Sequence, residues 1–110
     1  MAKYLFQGSY TEEGLKGLLK EGGTKRREAI EQAVKAQDGK VEAFYYAFGD
    51  NDFYLIVDYP SNIEASVTAL MAGSAGTSTI KTTVLITPKE VDEVVEKAGK
   101  LAGTYRPPGR

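Results

Sequence analysis

The segment Phe53-Tyr54-Leu55-Ile56-Val57-Asp58-Tyr59 alternates as a β-strand does, yet it is apolar on both sides of the pleat. Phe53, Leu55 and Val57 form one face, while Tyr54 and Ile56 stand on the other between Asp52 and Asp58. Successive strand side chains point to opposite faces, so a sheet covered by helices on one face should read apolar inward and polar outward. The stretch Val41 to Phe48 departs from that pattern too: strict alternation sets Val41, Ala43, Tyr45 and Ala47 against Glu42, Phe44, Tyr46 and Phe48. Near residue 85 the pattern recurs, with Leu85 opposite Val84 and Ile86. A sheet of this kind leaves an apolar patch on its helix-free side, and patches beyond about 300–600 Å² are unusual on a monomer. The expectation is that a second copy covers it.

The order of elements narrows the architecture. Lys3 to Tyr10 alternates and is rich in aromatics, which predicts a strand. Thr11 is placed as a helix N-cap, with Glu12 and Glu13 of the favourable sign behind it and Leu15, Leu18 and Leu19 at helical spacing. Gly22-Gly23 ends that short helix, and Thr24 restarts one whose apolar face is Ile30, Ala33, Val34 and Gln37 up to Gly39. The strands Val41–Phe48 and Asp52–Tyr59 follow, joined by Gly49-Asp50-Asn51 as a hairpin and stopped by Pro60. Ser61 caps a third helix with Ile63, Val67, Leu70 and Met71 on one face, and Gly73-Ser74-Ala75-Gly76 breaks it. Thr77 to Thr87 reads as the last strand. Thr87-Pro88-Lys89-Glu90 then opens a C-terminal helix as a capping box, and Val91, Val94, Val95, Ala98 and Leu101 give that helix a stripe to bury. Strand, broken helix, strand, strand, helix, strand is the split β-α-β unit: an α+β, ferredoxin-like fold with a four-stranded antiparallel sheet and helices on one face. Two such sheets packed face to face would make a dimeric α+β barrel. The alternative cover is the C-terminal helix folding over the sheet within one chain.

Composition excludes whole classes of function. The 110 residues are one domain by length, read as residues 1–102 followed by a Pro-rich tail over 103–110. With 14 Lys and Arg against 15 Asp and Glu, there is no excess of positive charge to grip a nucleic acid. The absence of Cys and His removes disulfides, thiolate nucleophiles, Ser-His triads and the usual zinc sites. No apolar run approaches the ~20 residues that span a bilayer, and the first residues do not form a signal peptide, so the expected location is the cytoplasm with no membrane partner.

Several stretches resemble one family. Thr11-Glu12-Glu13-Gly14, Lys25-Arg26-Arg27-Glu28-Ala29, Gly39-Lys40-Val41, and Phe44 through Asp52 are similar to the GYD-domain proteins. The likeness continues through Ile56-Val57-Asp58-Tyr59-Pro60 and Lys81-Thr82-Thr83 to about residue 90. The resemblance implies a small, mostly bacterial or archaeal protein related to the dimeric α+β barrels, without an established activity. Gly49, Asp50 and Asp52 fit the pattern that names the family, whereas Asn51 stands where a Tyr is usual.

Three clusters carry chemistry in principle. Lys25-Arg26-Arg27 lie in the first turn of a helix, where cations oppose the macrodipole, so an anion held by these side chains and the backbone near Thr24 would account for them. A solvated turn with Arg27 pairing weakly to Glu31 is the plainer account. The order Gly23-Thr24-Lys25 is not that of a P-loop, which requires Lys before Ser or Thr. Tyr46, Tyr54, Asp58 and Lys81 are catalytic candidates if they converge between two sheets, Tyr or Asp moving a proton and Lys81 neutralising Asp58; cross-strand packing is the plainer purpose. Asp50, Asn51 and Asp52 have oxygen donors, but hairpin chemistry explains them without a metal. In the tail, Tyr105 is the natural anchor if Tyr105 to Arg110 docks on its own or a neighbouring subunit.

The reading that follows is a small-molecule binding or interaction module without a cofactor, acting as a homodimer or larger homo-oligomer through its sheet and taking a small anionic ligand. A cofactor-free isomerase or oxygenase-like enzyme using Tyr and Asp between the sheets is the rival, and a purely structural oligomer is the third.

Overall fold

A computed structural model describes residues 1–110. The strands are β1 (Ala2–Tyr10), β2 (Lys40–Tyr46), β3 (Phe53–Tyr59) and β4 (Ser78–Leu85). The helices are α1 (Glu12–Glu21), α2 (Gly23–Lys35), α3 (Asn62–Ser74) and α4 (Pro88–Leu101), the last running into a 3-10 turn over Ala102–Thr104. All strand pairs are antiparallel, in the order β2-β3-β1-β4. That is the ferredoxin-like order, so the α+β fold expected from the element sequence is the fold observed. No helix is long and apolar enough to cross a membrane.

Local chemistry sets the joints. Thr11 and Ser61 cap α1 and α3 by accepting from the N–H groups of Gly14 and Ile63. Thr87 and Glu90 close the capping box at α4, the Thr87 N–H donating to Glu90 Oε1 at 2.9 Å and the Glu90 N–H to Thr87 Oγ1 at 3.1 Å. Gly22, at φ +82°, separates α1 from α2, a backbone state that a side chain would strain. The second helix therefore starts at Gly23, and Thr24 is its second residue, not its cap.

The core lies between the sheet and the helices. Tyr4, Phe6, Phe53, Leu55, Val57 and Tyr59 from the two central strands are buried with Val34 of α2 and Ala65 of α3. Gly8 is required where β1 meets β4, because a Cβ there would collide with the Thr79 carbonyl oxygen.

Two expectations about faces are corrected. In β2, strict alternation fails at a β-bulge: Val41 faces Val57 and Ala43 faces Ile56, so one residue is extra and every later side chain changes sides. Phe44 and Tyr46 consequently join Val41 on the helix-covered face, opposite Leu55 and Phe53, while Ala43 and Tyr45 point to the open face. The helix-free side carries three cross-strand rows: Lys40-Asp58-Lys3-Leu85, Ala43-Ile56-Leu5-Thr83 and Tyr45-Tyr54-Gln7-Lys81. It is an apolar centre flanked by mixed rows, less apolar than uninterrupted alternation predicts.

The second correction concerns the helices. α3 lays its small residues inward, Ala65 buried with Thr68, Ala69 and Ala72 half-buried, and leaves Ile63, Val67, Leu70 and Met71 exposed. α4 has no buried residue at all. It neither buries its stripe nor covers the open sheet face, and its one substantial contact is with the 3-10 turn that continues it. The chain in consequence extends over 58 × 32 × 23 Å with a radius of gyration of 17.7 Å, where a compact domain of this length has about 13 Å. Tyr105 is 71% exposed and does not dock on its own subunit.

Candidate functional site

α2 packs against β2 and α3 against β4, and the two helices make at most marginal contact with each other. The gap between them, floored by the central strands, is a cavity of about 510 Å³. Small inward residues open this space: Ala33 of α2, and Ala72 and Ala75 in and just after α3, line it where larger side chains would fill it. Fifteen of its twenty lining residues are hydrophobic, so the cavity favours an apolar body and leaves orientation to a few polar groups.

Apart from Thr77 and Ser78, those polar groups sit in two sets. In the first, the Gln37 side-chain amide donates to Thr68 Oγ1 at 3.0 Å, and the hydroxyls of Thr68 and Tyr59 share a hydrogen bond. Gln37 lies in the turn two residues past the end of α2 and Thr68 lies mid-α3, so this network ties that turn to α3 across the cavity over the sheet residue Tyr59. In the second, Arg26 from the first turns of α2 and Tyr10 from the end of β1 line the wall, next to Tyr46 of β2. The Tyr46 hydroxyl donates to the Gly23 carbonyl oxygen at 3.0 Å. Burial pushes the Tyr10 phenol up to about 12, Tyr46 adding to the rise and the positive charge of Arg26 opposing it. The Tyr46 phenol is also raised, by burial first and again against Arg26. Both phenols are therefore proton-bearing donors at neutral pH, beside a permanent cation. No Asp, Glu, His or Cys lines the cavity.

The structure distributes the sequence candidates over different surfaces. Of Thr24, Lys25, Arg26 and Arg27, only Arg26 is half-buried and faces the cavity. Consecutive helical residues point about 100° apart. Thr24 and Lys25 are exposed, and Arg27 pairs with Glu31 at 3.2 Å along the helix. Tyr46 is on the helix-covered side of the sheet, whereas Tyr54, Asp58 and Lys81 are on the open side. Asp58 does not meet Lys81. Its Oδ1 accepts from Lys3 Nζ at 2.9 Å, and Lys3 also reaches Glu42 at 3.0 Å. Lys81 lies four positions from Leu85, the β4 residue in the Asp58 row, roughly 13 Å along the strand. The two carboxylates hold the Lys3 ammonium pKa above its usual value, the hydrogen bond to Asp58 contributing most.

The Asp50-Asn51-Asp52 segment is committed to structure. The Asp52 carboxylate accepts from the Tyr10 N–H at 2.8 Å, and the Asn51 amide donates to the Tyr54 hydroxyl at 3.2 Å. Tyr10, Tyr59 and Thr68 escape a sequence reading because their neighbours explain them as strand or helix residues. Gln37 carries a usable signal: an amide spaced in line with Ile30, Ala33 and Val34 needs a partner inside, although the helix itself ends at Lys35.

A family model described as the GYD domain matches residues 4–95, which takes in β1 from Tyr4 onward, the other three strands, the first three helices and the start of α4. Neither the curated proteins nor the solved structures include a match to the chain.

Proposed function

The chain belongs to the GYD domain family, and from that footing we propose that it is a small-molecule binding module that works as a homo-oligomer. The carrying observation is the cavity of about 510 Å³ between α2, α3 and the sheet, which falls within the 300–1,000 Å³ of ordinary ligand sites. Its chemistry selects an apolar body with an anionic or strongly accepting group directed at Arg26 and Tyr10. Binding is favoured over catalysis because the cavity has no group that takes up a proton near neutral pH: its phenol of raised pKa is a donor, and Asp58 is tied to Lys3 on the opposite side of the sheet.

The oligomer in this proposal uses the open sheet face. A two-fold axis parallel to the strands would set Ile56 of one copy over Leu5 of the other and Asp58 over Lys3, since the rows containing them are self-complementary under that operation. The apolar row supplies burial, and the flanking charges supply register.

The test uses anilinonaphthalene sulfonate, an apolar dye with one anionic group, followed by fluorescence. Ala72→Phe fills the cavity and is expected to weaken dye binding at least tenfold, and Arg26→Met severalfold. Arg27→Met, on the solvent side, should leave binding unchanged. Equal affinity in all three variants overturns the reading.

A further inference from the structure

The chain displays two unpartnered apolar helix faces of matching length. α4 carries Val91, Val94, Val95 and Leu101, continued by Tyr105. On α3 the stripe is Ile63, Val67, Leu70 and Met71. These nine side chains are 39% to 74% exposed. The helices have 14 and 13 residues, each about 20 Å long at ~1.5 Å per residue. A 14-residue helix standing alone is marginal in water, yet this one has a complete capping box and proline at its start. It is built to be a helix and lacks the surface that would hold it.

We propose that the α4 arm of one copy packs its stripe on the α3 stripe of a second copy, in a reciprocal exchange that also closes the cavity mouth. Val67 and Met71 belong both to the α3 stripe and to the cavity lining, so the arriving arm completes a wall that a single chain leaves open. A two-fold exchange leaves no arm and no acceptor unfilled, which argues for a second copy over a foreign helix. A fully exposed side chain of this size offers about 60–120 Å² of apolar area. Nine of them, a little over half exposed, therefore bring roughly 300–650 Å² per chain toward the ~800 Å² per partner of a stable interface. A membrane surface is the poorer occupant, because the polar side of α4 carries Glu90, Asp92, Glu93 and Glu96 against only Lys89, Lys97 and Lys100, whereas interfacial helices are rich in Lys and Arg. The exchange deepens the cavity reading but does not depend on what the cavity binds or on pairing of the open sheet faces.

The natural absence of cysteine makes the test direct. Val67→Cys and Val95→Cys mark the midpoints of the two helices, which meet whether the helices run parallel or antiparallel. Mild oxidation of an equimolar mixture of the two full-length single variants should give a mixed disulfide dimer, identified by mass, in at least fivefold excess over a mixture of Val67→Cys with Glu93→Cys, on the opposite side of α4. A chain carrying both Val67→Cys and Val95→Cys that closes on itself as a monomer overturns the proposal. So does a mixed dimer no more abundant than the Glu93→Cys control, and so does light scattering showing monomers at tens of micromolar. An arm that stays unlinked while the protein sediments with phosphatidylcholine–phosphatidylserine vesicles overturns it in favour of a membrane. Dye titration of Ala72→Phe and Arg26→Met reads the cavity separately, so either reading can fail alone.

Discussion

Alkaline unfolding isolates Tyr10. Its phenol ionises at about 12 in the folded chain against 10.0 unfolded, burial being the first cause. Between those values the folded state holds a proton that the unfolded state has released, so stability falls as pH rises through that window and is fully present below it. Two pH units at about 1.36 kcal/mol each set a ceiling near 2.7 kcal/mol. The residue is only partly buried, and solvent screening reduces the expected loss to about 1 kcal/mol. At ~2.1 cal/mol/K per residue this is about 4 °C in Tm for 110 residues. Urea denaturation at pH 9, 10.5 and 11.5 should show wild type losing stability faster than Tyr10→Phe, with the difference near 1 kcal/mol at the top of the range. Groups remote from Tyr10 are common to both proteins and cancel in the comparison; Tyr46, which is coupled to Tyr10, is taken out of it by repeating the comparison in a Tyr46→Phe background. Parallel curves across the window would refute the argument, as would a phenolate absorbance titration in which Tyr10→Phe removes a group ionising at the ordinary value.

Other outcomes test the remaining joints. Tyr59→Phe removes a hydroxyl shared with Thr68 and should cost about 1 kcal/mol by urea melt; Thr68→Val in the same background should add less than it does alone, the signature of a coupled pair. Gly8→Ala forces β1 and β4 apart at the Thr79 carbonyl and should lower Tm well beyond the effect of Gly17→Ala, whose added Cβ meets nothing. Asp58→Asn removes the stronger partner of Lys3, so the Lys3 ammonium should titrate at lower pH by NMR than in wild type, with Glu42 retaining part of the rise. Deleting one residue at Glu42 removes the bulge; native strand pairing retained by hydrogen exchange would then require Phe44 and Tyr46 to keep their covered face.

The element order was legible because caps and turns are local. Thr11, Ser61 and the Thr87–Glu90 box act within three residues, and Gly22 and Pro60 stop their segments whatever surrounds them. The face of β2 was not legible. Val41 to Tyr46 alternates between aliphatic, charged and aromatic residues in a way that suits either phase, and the bulge that decides between them is a property of the pairing with β3. Partner choice fails in the same way. Asp58 and Lys81 have opposite charge, but register puts Lys3 beside Asp58 instead.

The α3 orientation has a further consequence. Ile63, Val67, Leu70 and Met71 form a helical stripe, and Ala65, Ala69 and Ala72 form another; hydrophobic periodicity assigns the larger side chains to the core. The chain does the reverse, placing alanines over the sheet and leucine in the open. Small residues inward are what hold α3 clear of α2 and keep the cavity from filling, so the exposed stripe and the vacant interior are two results of one rotation of the helix. Turning α3 by half a revolution would bury the stripe and fill the gap. That Gln37 and Thr68 instead bond across the gap, with Tyr59 beneath, pins the observed rotation by polar contacts that a reversed helix would forfeit. The prediction is made in a Val95→Glu background, which keeps the α4 arm of a second copy off the α3 stripe: Gln37→Leu with Thr68→Leu, which frees the helix to turn, lowers dye affinity and lowers Met71 solvent exposure together, measured by the rate of peroxide oxidation at that sulfur. Dye affinity falling while Met71 oxidises as fast as in Val95→Glu alone would separate the two and break the link between cavity and stripe.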